Sequence, residues 1–444
     1  MDGVVLVLYV GFLVYLVARL ARRYDRDAAD YLLAGRALSL PAFVGTLVAS
    51  WYGGILGVGE YGYRFGISNW LVFGVPYYVA ALLFAFFVAG RARRSPYVSI
   101  PDALRKNYGA TAGRIGGAVV FVMTAPAAYV LMIGTLFAFV FGMPAWLGVL
   151  LGTVLSLGYV VRGGLRAVVR TDLFQFGLMF GAFAVAVLFL LARHGIAPLR
   201  DGVPATHWTW HGGNDPQYVL VWFFIALATL IEPAFYQRVF AARSPETARK
   251  GIFVSVAFWI FFDGLTTLAA LYARALLPET TDPILAFPEL AMESFPGWLA
   301  ALFFIGMLAT IMSTVDTNGF IAAATLANLV AREGEEELSE RAAARTRIGI
   351  LGTGVWVAVL AVLSESIVDL WHDLGSIGTP ALLLPMLGCL YARLRIRRAW
   401  VPVWILAPGA LAAVWLFAGA GGRYPLGIEP IYVGLGASVA IRTV

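Results

Sequence analysis

The sequence is short of what soluble chemistry needs. Its one cysteine, Cys389, sits in the apolar run 381–394, so no disulfide framework holds the chain. Its four histidines are scattered. Only His207 and His211 share an i,i+4 spacing, and they lie in Gly- and Pro-punctuated text that does not read as a metal site. Charged residues are 13% of the chain, about half the roughly 25% of soluble domains, too few to cover a water-facing surface. Nucleophile motifs, phosphate-cradling glycine loops and metal clusters are all missing, which argues against an enzyme. The two lysines, Lys106 and Lys250, fall between hydrophobic segments or at the very edge of one, and few stretches between segments are long enough to fold alone.

What is there is apolar: 60% of residues, with a mean hydropathy of +0.81. The solvent for such a chain is lipid. A span takes about 20 apolar residues, and hydrophobic segments fall at 3–20, 40–63, 68–90, 114–142, 144–160, 167–192, 216–240, 249–276, 297–330, 347–363, 366–391, 399–420 and 427–441. The fold class expected is an all-α polytopic membrane protein of about thirteen transmembrane helices. Asp2 precedes the first segment and Arg19, Arg22, Arg23 and Arg26 follow it, the reverse of a signal peptide's charge order, so it reads as a retained span.

With the N-terminus outside and the C-terminus cytoplasmic, the cytoplasmic connections hold all but Arg64, Arg193, Arg200, Arg274 and Arg423 of the 32 basic residues. Dropping one mid-chain span destroys that asymmetry. The net charge of +6 therefore reports membrane orientation and not a nucleic-acid partner. The longest exterior connections, 193–215 and 277–296, are too small for a binding domain, and 331–347 reads as a solvated connector helix.

Two spans are interrupted. The second reads VASWYGGILGVGEYGY, and the seventh contains ATLIEPAFYQR with Pro233 after Glu232. Glycine and proline free backbone carbonyls, which survive in lipid only beside protein or a water-filled cavity. Close helix packing through small residues explains glycines in one span. A pair of breaks five spans apart fits two inverted repeats of five helices, with the broken helices forming a midplane site. The expected organisation is 1–39, an extra span and linker; 40–192, the first repeat; 193–215, an exterior loop; 216–394, the second repeat; and 395–444, two further spans.

The ninth span reads FFIGMLATIMSTVDTNGF. Thr310, Ser313, Thr314 and Thr317 fall at i, i+3, i+4 and i+7, so four hydroxyls share one helical face with Asp316 nearby. Hydroxyls also bond back to their own helix, but an aligned set with freed carbonyls suits a hard monovalent cation. Glu60, Glu232 and Asp263 are acids within spans, where charge normally faces a cavity or a partner. Trp51, Tyr52, Tyr61, Trp70 and Trp222 offer π faces to a cationic nitrogen, although aromatics at span ends also anchor the interface and Glu60 has Arg64 at i+4.

The chain resembles the sodium:solute symporter family. The resemblance is carried by YLLAGRALSLPAF before the second span, RGGLRAVVRTDLFQ into the sixth, YQRVFAARSPETARKG after the seventh and MLATIMSTVDT in the ninth. It implies a five-plus-five inverted-repeat core with one extra span before it and two after, multi-pass in the cell membrane. It implies Na⁺ as coupling ion, no organic cofactor, and uptake of a small organic solute by alternating access, by a chain functional as a monomer. The main Na⁺ site would be the carbonyls of Ala49, Tyr52 and Thr310 and the hydroxyls of Ser313 and Thr314. A second Na⁺ would use Asp172 with Ser313, Asp316 and Thr317. Trp51 followed by Gly53 and Gly54, with Glu60 beyond, is similar to the choline carriers, with a slightly different spacing to the glutamate. With Trp70, Trp222, Glu232 and Asp263 as further solute contacts, the expectation tilts to a proline-like amino acid or a quaternary amine. Alternatives are a solute sensor, which the chain's end at Val444 disfavours, and proton coupling through Asp172, Asp263 or Asp316.

Overall fold

The computed structural model describes residues 28–331, 338–363, 367–419 and 424–443, with residues 11, 12 and 15 of the first segment. The predicted span 3–20 therefore lies mostly outside the described residues. Among those residues the structure is helical throughout, with a lone parallel bridge between Leu38 and Ala242. Nine of the helices are long and apolar enough to cross a membrane. Gly297–Leu329 is the most enclosed, with 83% of its apolar stretch buried. It packs against Ala145–His194 and Glu340–Leu363 and so forms the axis of the bundle. Leu188, Val355 and Phe417 project outward from other helices, which costs nothing when the solvent is hydrocarbon.

Several predicted spans are not single rods. Segment 40–63 is two helices, Leu40–Ala49 and Ile55–Phe65. Segment 216–240 is Pro216–Ile225, a 3₁₀ turn over Ala226–Ile231, and Pro233–Ala241. A further break, not foreseen, divides 114–142 into Ala110–Met123 and Ala127–Phe141. There Thr124 Oγ1 bonds back to Val120 O at 2.8 Å, and Pro126 has no N–H to continue the ladder. Segments 144–160 and 167–192 run together as Ala145–His194, bent at Gly164. The last segment is the 14-residue helix Pro430–Thr443.

The start of the first broken helix meets the end of the second. Leu38 N–H donates to Ala241 O at 3.0 Å and Arg243 N–H to Leu38 O at 3.1 Å. Arg93 Nε donates to Ala242 O at 2.5 Å.

Candidate functional site

The first break begins where Ser50 turns its hydroxyl back to Thr46 O at 2.7 Å, a bond that competes with helix continuation. The ladder stops at Trp51 N–H to Val48 O, 3.3 Å, and resumes at Val58 N–H to Gly54 O, 3.0 Å. Among the described residues, no backbone N–H donates to the carbonyls of Ala49 or Tyr52. Close approach requires the two glycines. A Cβ on Gly53 would lie 2.4 Å from Thr314 Cβ, and one on Gly54 would lie 2.0 Å from the Trp371 ring. Helix Gly297–Leu329 therefore presses on the break through Thr314, whose hydroxyl donates to Ser50 O at 3.0 Å.

Ala49, Thr310 and Ser313 are fully buried, and Tyr52 and Thr314 nearly so. Thr310 spends its hydroxyl on Gly306 O at 2.7 Å, which leaves its carbonyl as the group it could offer. The oxygens these positions could offer are neutral and lie on two helices, a chemistry that would fit a dehydrated Na⁺ without adding charge.

Beside them is a charged cluster. Asp172 Oδ1 accepts from Ser313 Oγ at 2.6 Å, and its Oδ2 accepts from Thr46 Oγ1. Arg238 Nη2 pairs with Asp172 Oδ2 at 3.3 Å and also donates to Thr317 Oγ1 at 2.5 Å and Thr46 Oγ1 at 3.1 Å. Asp172, Arg238 and Thr317 are all fully buried. Sequence reasoning counted Arg238 among the cytoplasmic basic residues, and the structure instead places it in the interior. Asp316 is fully buried in the same helix as Ser313.

Between the two breaks lies a cavity of about 190 Å³, bordered on one side by Ser50, Tyr52, Gly54 and Thr314. Trp51, Phe73, Tyr77, Tyr129 and Trp371 supply its aromatic walls. Trp51 stands edge-on to Tyr77, centroids 5.6 Å apart, and Trp371 lies 6.1 Å from Phe73 and 6.0 Å from Tyr129. Its polar groups include Thr229, Asn318 and one acid, Glu232. Glu232 caps the helix that follows it, Oε1 accepting from Ala234 N–H at 3.4 Å.

Of the solute contacts expected from sequence, the cavity lining thus contains Trp51, Gly54 and Glu232. Gly53 lies under Thr314. Glu60 pairs with Arg64 at 3.0 Å, the helix-local alternative. Trp70 Nε1 donates to Tyr78 OH at 3.0 Å, and Tyr78 donates in turn to Asp263, so a tertiary relay takes up both residues outside the lining. Trp222 is buried behind Phe73, centroids 4.9 Å apart. Tyr77, Tyr129 and Trp371 were missed; for Tyr77 and Tyr129 the available signal was position, aromatic rings in mid-span instead of at span ends, whereas Trp371 opens its span.

Outside the spans, His207 covers the C-terminal end of the first broken helix, its Nε2–H donating to Tyr63 O at 3.0 Å. Burial holds its pKa below the ordinary imidazole value, against that hydrogen bond, which raises it.

The family model described as "Sodium:solute symporter family" matches residues 31–399. The high-affinity choline transporter 1 of Drosophila melanogaster is 22% identical over 399 residues, 83% of this chain and 63% of that protein. The sodium-coupled monocarboxylate transporter 1 of Mus musculus is 25% identical over 408 residues, 82% of this chain and 65% of that protein. The chain thus spans just under two thirds of the length of these two relatives. Among solved structures, a Na⁺-coupled sialic acid symporter in a substrate-bound outward-open state superposes with a TM-score of 0.80 at 14% identity, over 99% of this chain and 95% of that one. A nucleobase-cation-symport-1 family transporter gives 0.63 at 13% identity, over 93% and 92%. The fold is shared with both.

Proposed function

The chain belongs to the sodium:solute symporter family, and from that premise we propose that it carries a small solute with a cationic nitrogen across the cell membrane together with Na⁺. The observation that carries this reading is the cavity: aromatic walls around one carboxylate, with no basic side chain in its described lining. An ammonium over an aromatic face gains about 0.5–2 kcal/mol as it is desolvated, and Glu232 supplies the counter-charge. A solute bearing only a carboxylate would meet Glu232 without a cation to pair it, and burying an unpaired charge is costly. Of the two relatives, the choline carrier is the better guide to this cavity. A cavity of this size suits a compact quaternary amine. A zwitterion of proline size is the second reading, favoured because Gly54, which caps helix Ile55–Phe65, borders the cavity and a helix N-terminus attracts a carboxylate.

Na⁺ would bind at the carbonyls of Ala49, Tyr52 and Thr310 and the hydroxyls of Ser313 and Thr314. Tyr52 and Thr314 border the cavity as well, so filling either site stiffens a wall of the other. That shared wall is the physical basis for coupling. Spans 2–6 and 7–11 would act as two inverted repeats rocking about the site, driven by about 2.3 kcal/mol per Na⁺ at −100 mV. The test is a thermal-shift screen of purified protein with choline, proline, lactate and glucose, each with and without Na⁺. Choline should raise the melting temperature in Na⁺ and not in its absence, since stabilisation follows RT ln(1 + [L]/Kd). Stabilisation by lactate or glucose alone would overturn the cationic assignment.

A further inference from the structure

We infer that Asp172 is not a ligand of a second Na⁺ in this chain but a buried positioning residue, neutralised by Arg238, that orients Ser313 toward a single Na⁺. The inference rests on the ion site proposed above. Its basis is how completely the cluster is already committed. Asp172 Oδ1 receives the Ser313 proton at 2.6 Å, and Oδ2 receives Thr46 and the Arg238 guanidinium at 3.3 Å. Of the three other residues a second ion would use, Ser313 gives its proton to Asp172 and Thr317 accepts from Arg238 at 2.5 Å, which leaves Asp316 on the same helix as the one further carboxylate. A cation placed at Asp172 would face a fixed guanidinium across a site from which water is excluded, where like charges repel strongly.

The guanidinium is thus a resident positive charge where a second, exchangeable one would have to sit. It is tethered to helix Pro233–Ala241 and stays protonated under all ordinary conditions, so it cannot be delivered to the cytoplasm. The cycle should therefore move one Na⁺ per solute.

Asp172 still matters to that Na⁺. By accepting the Ser313 proton it fixes the hydroxyl rotor, and the serine lone pairs are left for the ion. Metal ligands are commonly oriented this way by a carboxylate behind them, and removing such a partner typically weakens affinity about 10–100-fold. The cluster also ties Thr46 of the first broken helix to Arg238 of the second, so orienting the ligand and holding the two breaks together are one arrangement.

The test uses the full chain, purified and titrated with Na⁺ alone, reading melting temperature and bound ²²Na⁺. Wild type should bind about one Na⁺ with a Hill coefficient of about 1. Asp172→Asn should raise the half-saturating Na⁺ about 10–100-fold with the Hill coefficient unchanged. Because that substitution leaves the Arg238 charge without its carboxylate, the double variant D172N/R238Q serves as the fold control. It should recover the melting temperature without Na⁺ while the Na⁺ affinity stays weak. Removing Ser313 first should make the Asp172 change nearly silent, because Asp172 acts through it. Two Na⁺ bound in wild type, falling to one in D172N, would overturn the inference, and so would unchanged affinity in D172N. If Ser313→Ala itself leaves Na⁺ binding intact, the ion site proposed above fails instead, whatever Asp172 does.

Discussion

The two helix breaks that face each other across the cavity are made by different chemistry. The first, 50–54, is a glycine break. It has no side-chain cap, the carbonyls of Ala49 and Tyr52 accept from no described backbone donor, and it is held by Thr314 and Trp371 pressing where side chains would be. The second, at the end of Ala226–Ile231, is a proline break. Pro233 starts the next helix in the position where its missing N–H is harmless, and Glu232 caps that helix with its own carboxylate. Glycine exposes neutral acceptors, and the Glu-Pro pair presents a charge. On the function proposed above, the first break would suit a small hard cation and the second an organic one, so that one site could hold both without confusing them.

Breaking the first side of this comparison should have the largest effect. Gly53→Ala puts a methyl group into Thr314, so Na⁺-dependent stabilisation should disappear in a thermal-shift titration while the protein still inserts and purifies. Thr314→Ala is the milder form: half-saturating Na⁺ should rise about 100-fold, the worth of one strong polar contact, with circular dichroism unchanged. Next comes the second break. Glu232→Gln should weaken a cationic solute about 30-fold in equilibrium binding at saturating Na⁺, yet leave the Na⁺ titration without solute where it was. A parallel loss of Na⁺ affinity would show that the two breaks are not separable. Trp51→Leu keeps the bulk and removes the π face, so it should cost a quaternary amine only about 3–5-fold and a sugar nothing.

The smallest effect expected is at the C-terminal end of the first broken helix. His207 is buried with a lowered pKa, so the unfolded chain takes up its proton first as pH falls. Its contribution to stability is whole above the ordinary imidazole value near 6.5 and declines below it. Lowering the pH from 7.5 to 5.5 should reduce the melting temperature modestly, and His207→Gln should flatten that slope.

Both breaks were legible in the sequence because they are written in residues that disrupt helices wherever they occur: Gly53 with Gly54, and Glu232 with Pro233. The hydroxyl row of the ninth span was legible because its spacing is purely helical. Pairings between distant segments were not. Arg238 reads as one more basic residue after an apolar run, and nothing local says that it turns inward to meet a carboxylate 66 positions away. Asp263 and Trp70 look like free polar groups until Tyr78 is placed between them. Trp371 opens a span, which suggests an interfacial anchor, whereas its ring lies against Gly54. Such contacts belong to the packing of the bundle and have no periodicity to announce them.

The catch between Leu38 and Ala242 is made by main-chain groups. Nearly every amino acid carries the same amide, so inheritance can rewrite the side chains at these positions without altering the bonds, and proline at 38 or 243 is the substitution that deletes a donor. Two such bonds contribute about 1–3 kcal/mol net, a link that holds the two broken helices together and yet is light enough to be remade. Side chains elsewhere in the bundle, the aromatic walls of the cavity among them, can therefore change without touching this link, because it is made by a part of the molecule that point mutation rarely reaches.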